Sequence, residues 1–185
     1  MPVPRLVLVR HGHPAAGYLE DLDPPLDDEG HAQAERMAEE LSASGSRALV
    51  TSPRRRAAET AAALEAAWGR RALVEARVAE IPAPTDDLVD RGAWLRSVMR
   101  STWSAVGDPA LHAWRDGVRA ALGELAEDTV VVTHYLVLNA AVGLATADDR
   151  VVLFRPDHCS RTVLDVTPSG LALVEFGAQR ETRVV

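Results

Sequence analysis

Apolar residues fall along this chain in two rhythms: short unbroken runs, and longer stretches in which they recur every three or four positions. The first run, Leu6-Val7-Leu8-Val9, is too short for a helix and suits a strand buried on both faces, as in the middle of a parallel sheet. Ala48-Leu49-Val50 is a second run, Leu73 to Val78 a third, and the β-branched Thr129-Val130-Val131-Val132-Thr133 the clearest strand of all. Helical spacing fills the intervals. One helix opens at Leu26-Asp27-Asp28-Glu29, with an Asp near the cap and acids in the first turn, and closes at Ser44-Gly45-Ser46. Another runs to Trp68 with Ser52 as N-cap and Pro53 at its first position. Further helices are predicted over Leu88 to Val106, Pro109 to Leu125 and Leu136 to Leu144. Val151–Phe154, Arg161–Val166 and Leu171–Phe176 read as antiparallel strands, the last two joined by a Pro168-Ser169-Gly170 turn. Strands alternating with helices predict a three-layer α/β/α sandwich with a mostly parallel central sheet, one domain over residues 1–185.

Composition narrows the function classes. A hydrophobic fraction of 47% and a charged fraction of 25% are ordinary for a soluble globular protein. The net charge of −7, without a basic tail, argues against nucleic-acid and anionic-membrane partners. A single cysteine, Cys159, leaves no internal disulfide and no cysteine-based metal cluster. With no membrane-length apolar run and no signal-peptide pattern, a cytoplasmic location is the expectation.

Three predicted strands end in chemically loaded residues. The first delivers Arg10-His11-Gly12, the second Ser52 with Arg54, Arg55 and Arg56, and the valine-rich one His134. Ligands of open α/β sheets bind just past the carboxyl ends of the strands. If these strands are parallel neighbours, two histidines and at least two arginines share a pocket there. Arginine forks and helix N-termini suit the oxygens of a phosphate. Three cations in the first turn of a helix oppose its macrodipole, at roughly 0.3–1 kcal/mol each. A bound anion would reverse that sign. Arg54 and Arg56 cannot share a helix face, so at most one or two of the three reach a common ligand.

These segments, Arg10-His11-Gly12, Ser52-Pro53-x-x-Arg56-Ala57-x-x-Thr60 and Thr133-His134, resemble in order the histidine phosphatase superfamily, with its phosphoglycerate mutase-like fold. The resemblance implies that His11 is the nucleophile, taking the phosphoryl group as a phosphohistidine. It further implies that Arg10, Arg56 and His134 bind and neutralise the phosphoryl oxygens. An imidazole that titrates near neutrality and a transition state that needs mainly charge stabilisation are consistent with those roles. The family also uses a carboxylic acid between the arginine segment and the second histidine. Glu80 stands where the resemblance places it, with Glu75, Asp86 and Asp87 as alternatives. The implied partner is a small phosphorylated substrate, and neither metal nor other cofactor is called for. Hydrolysis of a phosphomonoester is the expected reaction. A mutase-like phosphotransfer and a non-catalytic phosphate-binding module are the alternatives, the first disfavoured by the short chain.

Gly12, His13 and Tyr135 are possible substrate contacts, Tyr135 because it follows His134 where many relatives have glycine. Trp94, Trp103 and Trp114 fall at helical spacing and read as core, and His31 and His112 as residues without ligand partners. His158 precedes a late strand that can border the pocket. The acidic stretch Glu20 to Glu29 reads as a solvated loop and cap that would disfavour highly anionic substrates if it leaned over the site. Specificity is expected from Pro14–Pro25 and Ile81–Trp114, neither of which carries a legible motif. Nothing in the sequence sets the oligomeric state.

Overall fold

In a computed structural model, which describes residues 3–17 and 20–179, the four sequence-central strands lie parallel. The elements are β1 (Arg5–Arg10), α1 (Asp28–Ser42), β2 (Ala48–Thr51), α2 (Arg55–Trp68), β3 (Leu73–Val74), α3 (Leu88–Met99), α4 (Pro109–Gly123), β4 (Thr129–Thr133), α5 (Tyr135–Thr146), β5 (Arg161–Thr167) and β6 (Gly170–Glu175). They form one six-stranded sheet in the order β3-β2-β4-β1-β5-β6. Strand β1 pairs parallel with β4, Leu6 opposite Thr129 and Arg10 opposite Thr133, and antiparallel with β5. Strand β2 flanks β4 on the other side, Thr51 opposite Val132.

The pleat explains the layers. Leu6 and Leu8 point to one face and pack with Val118, Leu122, Leu138 and Val142 of α4 and α5. Val7 and Val9 point to the other, against Met37, Leu41, Ala57 and Leu64 of α1 and α2. The run at Leu6–Val9 is buried on both sides because helices cover both, which gives the three-layer sandwich predicted from the sequence. Among the described residues no helix is long and apolar enough to cross a membrane. Trp103 is buried and stacks on Trp114 in a third apolar cluster under α3 and α5, which also takes Trp94, as core tryptophans do.

Four local expectations are corrected. The predicted strand Leu73–Val78 stops at Val74, because the Glu75 carboxylate caps Arg77 N and turns Ala76–Val78 into a 3₁₀ turn. The helix predicted to Val106 ends at Met99, since the chain beyond engages another loop: Trp103 N donates to Asp149 O at 2.7 Å. Val151–Phe154 is not a strand. Its amides are satisfied instead by Ser101 O and by the side chain of Asn139, whose Oδ1 accepts from Leu153 N (2.8 Å) and Phe154 N (3.1 Å). Helix α2 begins at Arg55, not Pro53, and Ser52 does not cap it. Ser52 still sits in the sheet, its N–H donating to Val132 O, and its hydroxyl is occupied at the site described next.

Candidate active site

Strands β1, β2 and β4 run in one direction, so their carboxyl ends deliver Arg10-His11, Ser52 and His134 to one edge of the sheet. The first turn of α2 adds Arg56. The rings of His11 and His134 stand 5.2 Å apart. His11 is buried, and its Nδ1 lies 2.8 Å from the carbonyl oxygen of Gly12. That oxygen only accepts, so Nδ1 carries the proton and Nε2 keeps its lone pair. Arg56 Nε donates to this Nε2 at 3.1 Å, fixing the ring from the other side. Burial pushes His11 well below the ordinary histidine value, and His134, Arg56 and Arg10 push the same way. The neutral ring is therefore the resting form at neutral pH.

His134 ends β4 and opens α5, wholly buried. Its Nε2 is 2.7 Å from Ser52 Oγ, and its Nδ1 makes no hydrogen bond among the described residues. Ser52 Oγ also accepts from Arg54 N at 3.2 Å. Arg10 Nη1 donates to Pro156 O at 2.9 Å, while its guanidinium lies 5.3 Å from the centre of the Tyr135 ring. Burial lowers both Arg10 and Arg56 from the usual guanidinium value; arginine nevertheless stays charged.

Of the candidate carboxylates, Glu80 is the one in the pocket, beside Arg10, His11 and Arg56. Its Oε1 accepts from Ile81 N at 3.0 Å. Burial raises its carboxyl above the ordinary glutamate value, against the pull of Arg56, the Ile81 amide and Arg10. Glu75 is committed to Arg77 at 2.8 Å, and Asp87 caps α3. Asp86 is exposed on the loop before α3.

Not every candidate contact reaches the pocket. Gly12 N donates to Thr60 Oγ1 (2.9 Å), and a Cβ there would lie 2.6 Å from Gly30 O. The glycine is thus required by the backbone of α1 behind it. Thr60 in turn donates to Arg56 O at 2.7 Å, tying the β1 turn to α2. His13 points into a neighbouring hollow and pairs with Asp27 Oδ2 at 2.7 Å, the same carboxylate that caps α1. Tyr135 does line the pocket, half-buried. His158 stands between His11 and His13, with ring centres 5.8 and 5.1 Å away. His31 is exposed near Glu59 and His112 bonds to Val106 O.

Of the arginine triplet, Arg56 is buried in the site, and the half-buried Arg54 adds its charge near His134 and Arg56. Arg55 is exposed and paired with Glu59 at 2.9 Å. The acidic loop does lean over the site: Asp21, Leu22 and Pro24 line the pocket, and Asp23 Oδ1 is 3.6 Å from Arg56 Nη1. Sequence reasoning did not single out Asp23 or the pocket residues Leu95, Met99 and Arg155, because no motif marks them. Among the described residues no group of three or more His, Cys, Asp or Glu is arranged to hold a metal ion.

A sequence model of the histidine phosphatase superfamily (branch 1) matches residues 6–179, and the chain belongs to that superfamily. The sheet and its flanking helices are shared by solved structures of low sequence identity. A mycobacterial glucosyl-3-phosphoglycerate phosphatase, solved in complex with VO3, superposes with a TM-score of 0.75 at 23% identity over 95% of this chain and 100% of that one. The phosphoserine phosphatase of Entamoeba histolytica, in complex with 3-phosphoglyceric acid, gives 0.72 at 16% identity over 96% and 98%. No protein of curated function matches the sequence.

Proposed function

We propose that this protein is a phosphatase that hydrolyses a phosphomonoester through a phosphohistidine on His11. The observation that carries this reading is the fixed tautomer of His11, a buried neutral ring with its lone pair on Nε2 beside a guanidinium. In the first step Nε2 attacks phosphorus as the P–O ester bond breaks. Glu80, whose burial favours the acid form, gives its proton to the departing oxygen. Arg10, Arg56 and His134, which donates through Nδ1 when Ser52 Oγ–H turns to its Nε2, balance the charge on the three phosphoryl oxygens. In the second step the Glu80 carboxylate takes a proton from water as the water oxygen bonds to phosphorus. The N–P bond breaks, and neutral His11, protonated Glu80 and inorganic phosphate result.

The test is rapid acid-free quenching of a reaction with labelled 4-nitrophenyl phosphate. The expected result is an acid-labile, alkali-stable label on wild-type protein and none on His11→Ala, which also loses turnover by at least about 10⁴-fold. Phosphate release by His11→Ala at the wild-type rate would overturn the assignment. Transfer of the label to an added alcohol in preference to water would point to a mutase instead.

A further inference from the structure

The groups that would handle phosphate occupy one end of the pocket, and what lines the rest is of a different character. The cavity measures about 370 Å³, near the small end of the roughly 300–1,000 Å³ usual for small-molecule sites. Beyond Arg10, His11, Arg56 and Glu80 its walls include Leu22, Pro24, Leu95, Met99, Leu136 and the ring of Tyr135. These come from three separate places: the loop after β1, the outer face of α3, and the start of α5. Among the described residues, charge beyond the phosphate end amounts to Asp21 and Arg155, both exposed and of opposite sign. Near the phosphate end, Asp23 already faces Arg56 at 3.6 Å, and Asp157 adds a second negative charge near Arg10. A second anionic group on the substrate would meet Asp21 and Asp23 on the loop side, apolar side chains on α3 and α5, and one cation, Arg155, whose exposed charge is screened by solvent.

Resting on the phosphatase reading, we propose that the leaving group of the substrate is an apolar alcohol, a short aliphatic or flat cyclic one, bearing no second anion. Phosphorylated acids such as phosphoserine or 3-phosphoglycerate carry a carboxylate close to the phosphate. Here that carboxylate would lie against Leu95, Met99 or Leu136, reach only the exposed and solvent-screened Arg155, or displace Asp23 from Arg56. Burying it unpaired costs more than the phosphate end recovers. An alkyl chain in the same place replaces water on apolar walls and gains with each carbon.

A series of n-alkyl phosphates from propyl to hexyl holds leaving-group basicity nearly constant while apolar area grows. The expected kcat/KM rises about threefold per added methylene, as burial of a CH₂ predicts. Phosphoserine and 3-phosphoglycerate are expected to fall about tenfold or more below propyl phosphate. In Leu95→Asn the hexyl-to-propyl ratio is expected to drop at least about fivefold. Met99→Gln, which keeps the side-chain shape at the end of α3, gives the same readout should the first variant fold poorly. A flat series, a hexyl-to-propyl ratio unchanged in both variants, or phosphoserine turned over as fast as propyl phosphate would overturn the substrate class while leaving the phosphatase reading intact. Absence of turnover on every ester, together with no label on His11, would overturn that reading and this one with it.

Discussion

Burial favours the uncharged form of two residues at the centre of the site, a carboxyl and an imidazole. His11 is kept neutral by burial and by flanking cations, Glu80 is pushed toward its acid form by burial. The chemistry then divides cleanly between them, and so does its test. Glu80→Gln is expected to slow hydrolysis of an alkyl phosphate by roughly 10²–10⁴. The loss should be much smaller with 4-nitrophenyl phosphate, whose leaving oxygen needs no proton. In the proposed mechanism the acid form acts in the first step, so wild-type kcat/KM is expected to fall as pH rises through the elevated Glu80 value, and the Gln variant to lack that limb. Equal losses on both esters would mean that Glu80 does not protonate the leaving oxygen. Arg10, His11, Arg56 and His134 were legible as candidates in the sequence, because each stands at the end of an apolar run or in a short ordered motif, whereas Glu80 rested on the family resemblance, with Glu75, Asp86 and Asp87 as alternatives. Asp23, Leu95 and Met99 were not, because only the folding of two motif-free segments back over the sheet edge gives them neighbours.

At the level of elements, the strands that position the site were read correctly, since unbroken apolar runs such as Leu6–Val9 have few other ways to be buried. The errors fall where a side chain satisfies backbone that a strand or cap was expected to satisfy. Ser52 looked like an N-cap, yet its hydroxyl serves His134 and Arg54 N, and α2 starts without a side-chain cap. The lone Asn139 in the apolar Leu136–Leu144 run was the available signal for the other case. A buried polar side chain needs partners, and it finds them in Tyr135 O, Leu153 N and Phe154 N. Asn139→Ala leaves two amides without acceptors and is expected to destabilise the fold by about 2–4 kcal/mol in urea unfolding. A loss under about 0.5 kcal/mol would show that water replaces the clamp.

For the whole molecule, assembling the site has a pH signature. His11 and His134 are both buried and both pushed well below 6.5, so the unfolded chain binds more protons than the native one as pH falls past that value. Stability therefore rises with pH through this range, by up to about 1.4 kcal/mol per pH unit for each histidine. Glu80, raised, works in the opposite sense above its unfolded value, but is one group against two. Urea midpoints in phosphate-free buffer are expected to fall between pH 7.5 and 5.5, and to fall less in His11→Asn. Midpoints that do not move would show that neither ring is held neutral.

The central place of β1 also carries a burden during synthesis. The strand that holds Arg10 and His11 is made first, yet its neighbours on either side begin only at Thr129 and Arg161. At roughly 5–20 residues per second, both its edges wait on the order of ten seconds or more on the ribosome for a partner. Leu6 and Leu8, whose face packs on α4 and α5, have no helix over them until those are made. The same segment that organises the finished site is thus among those most in need of shelter while the chain is still being made.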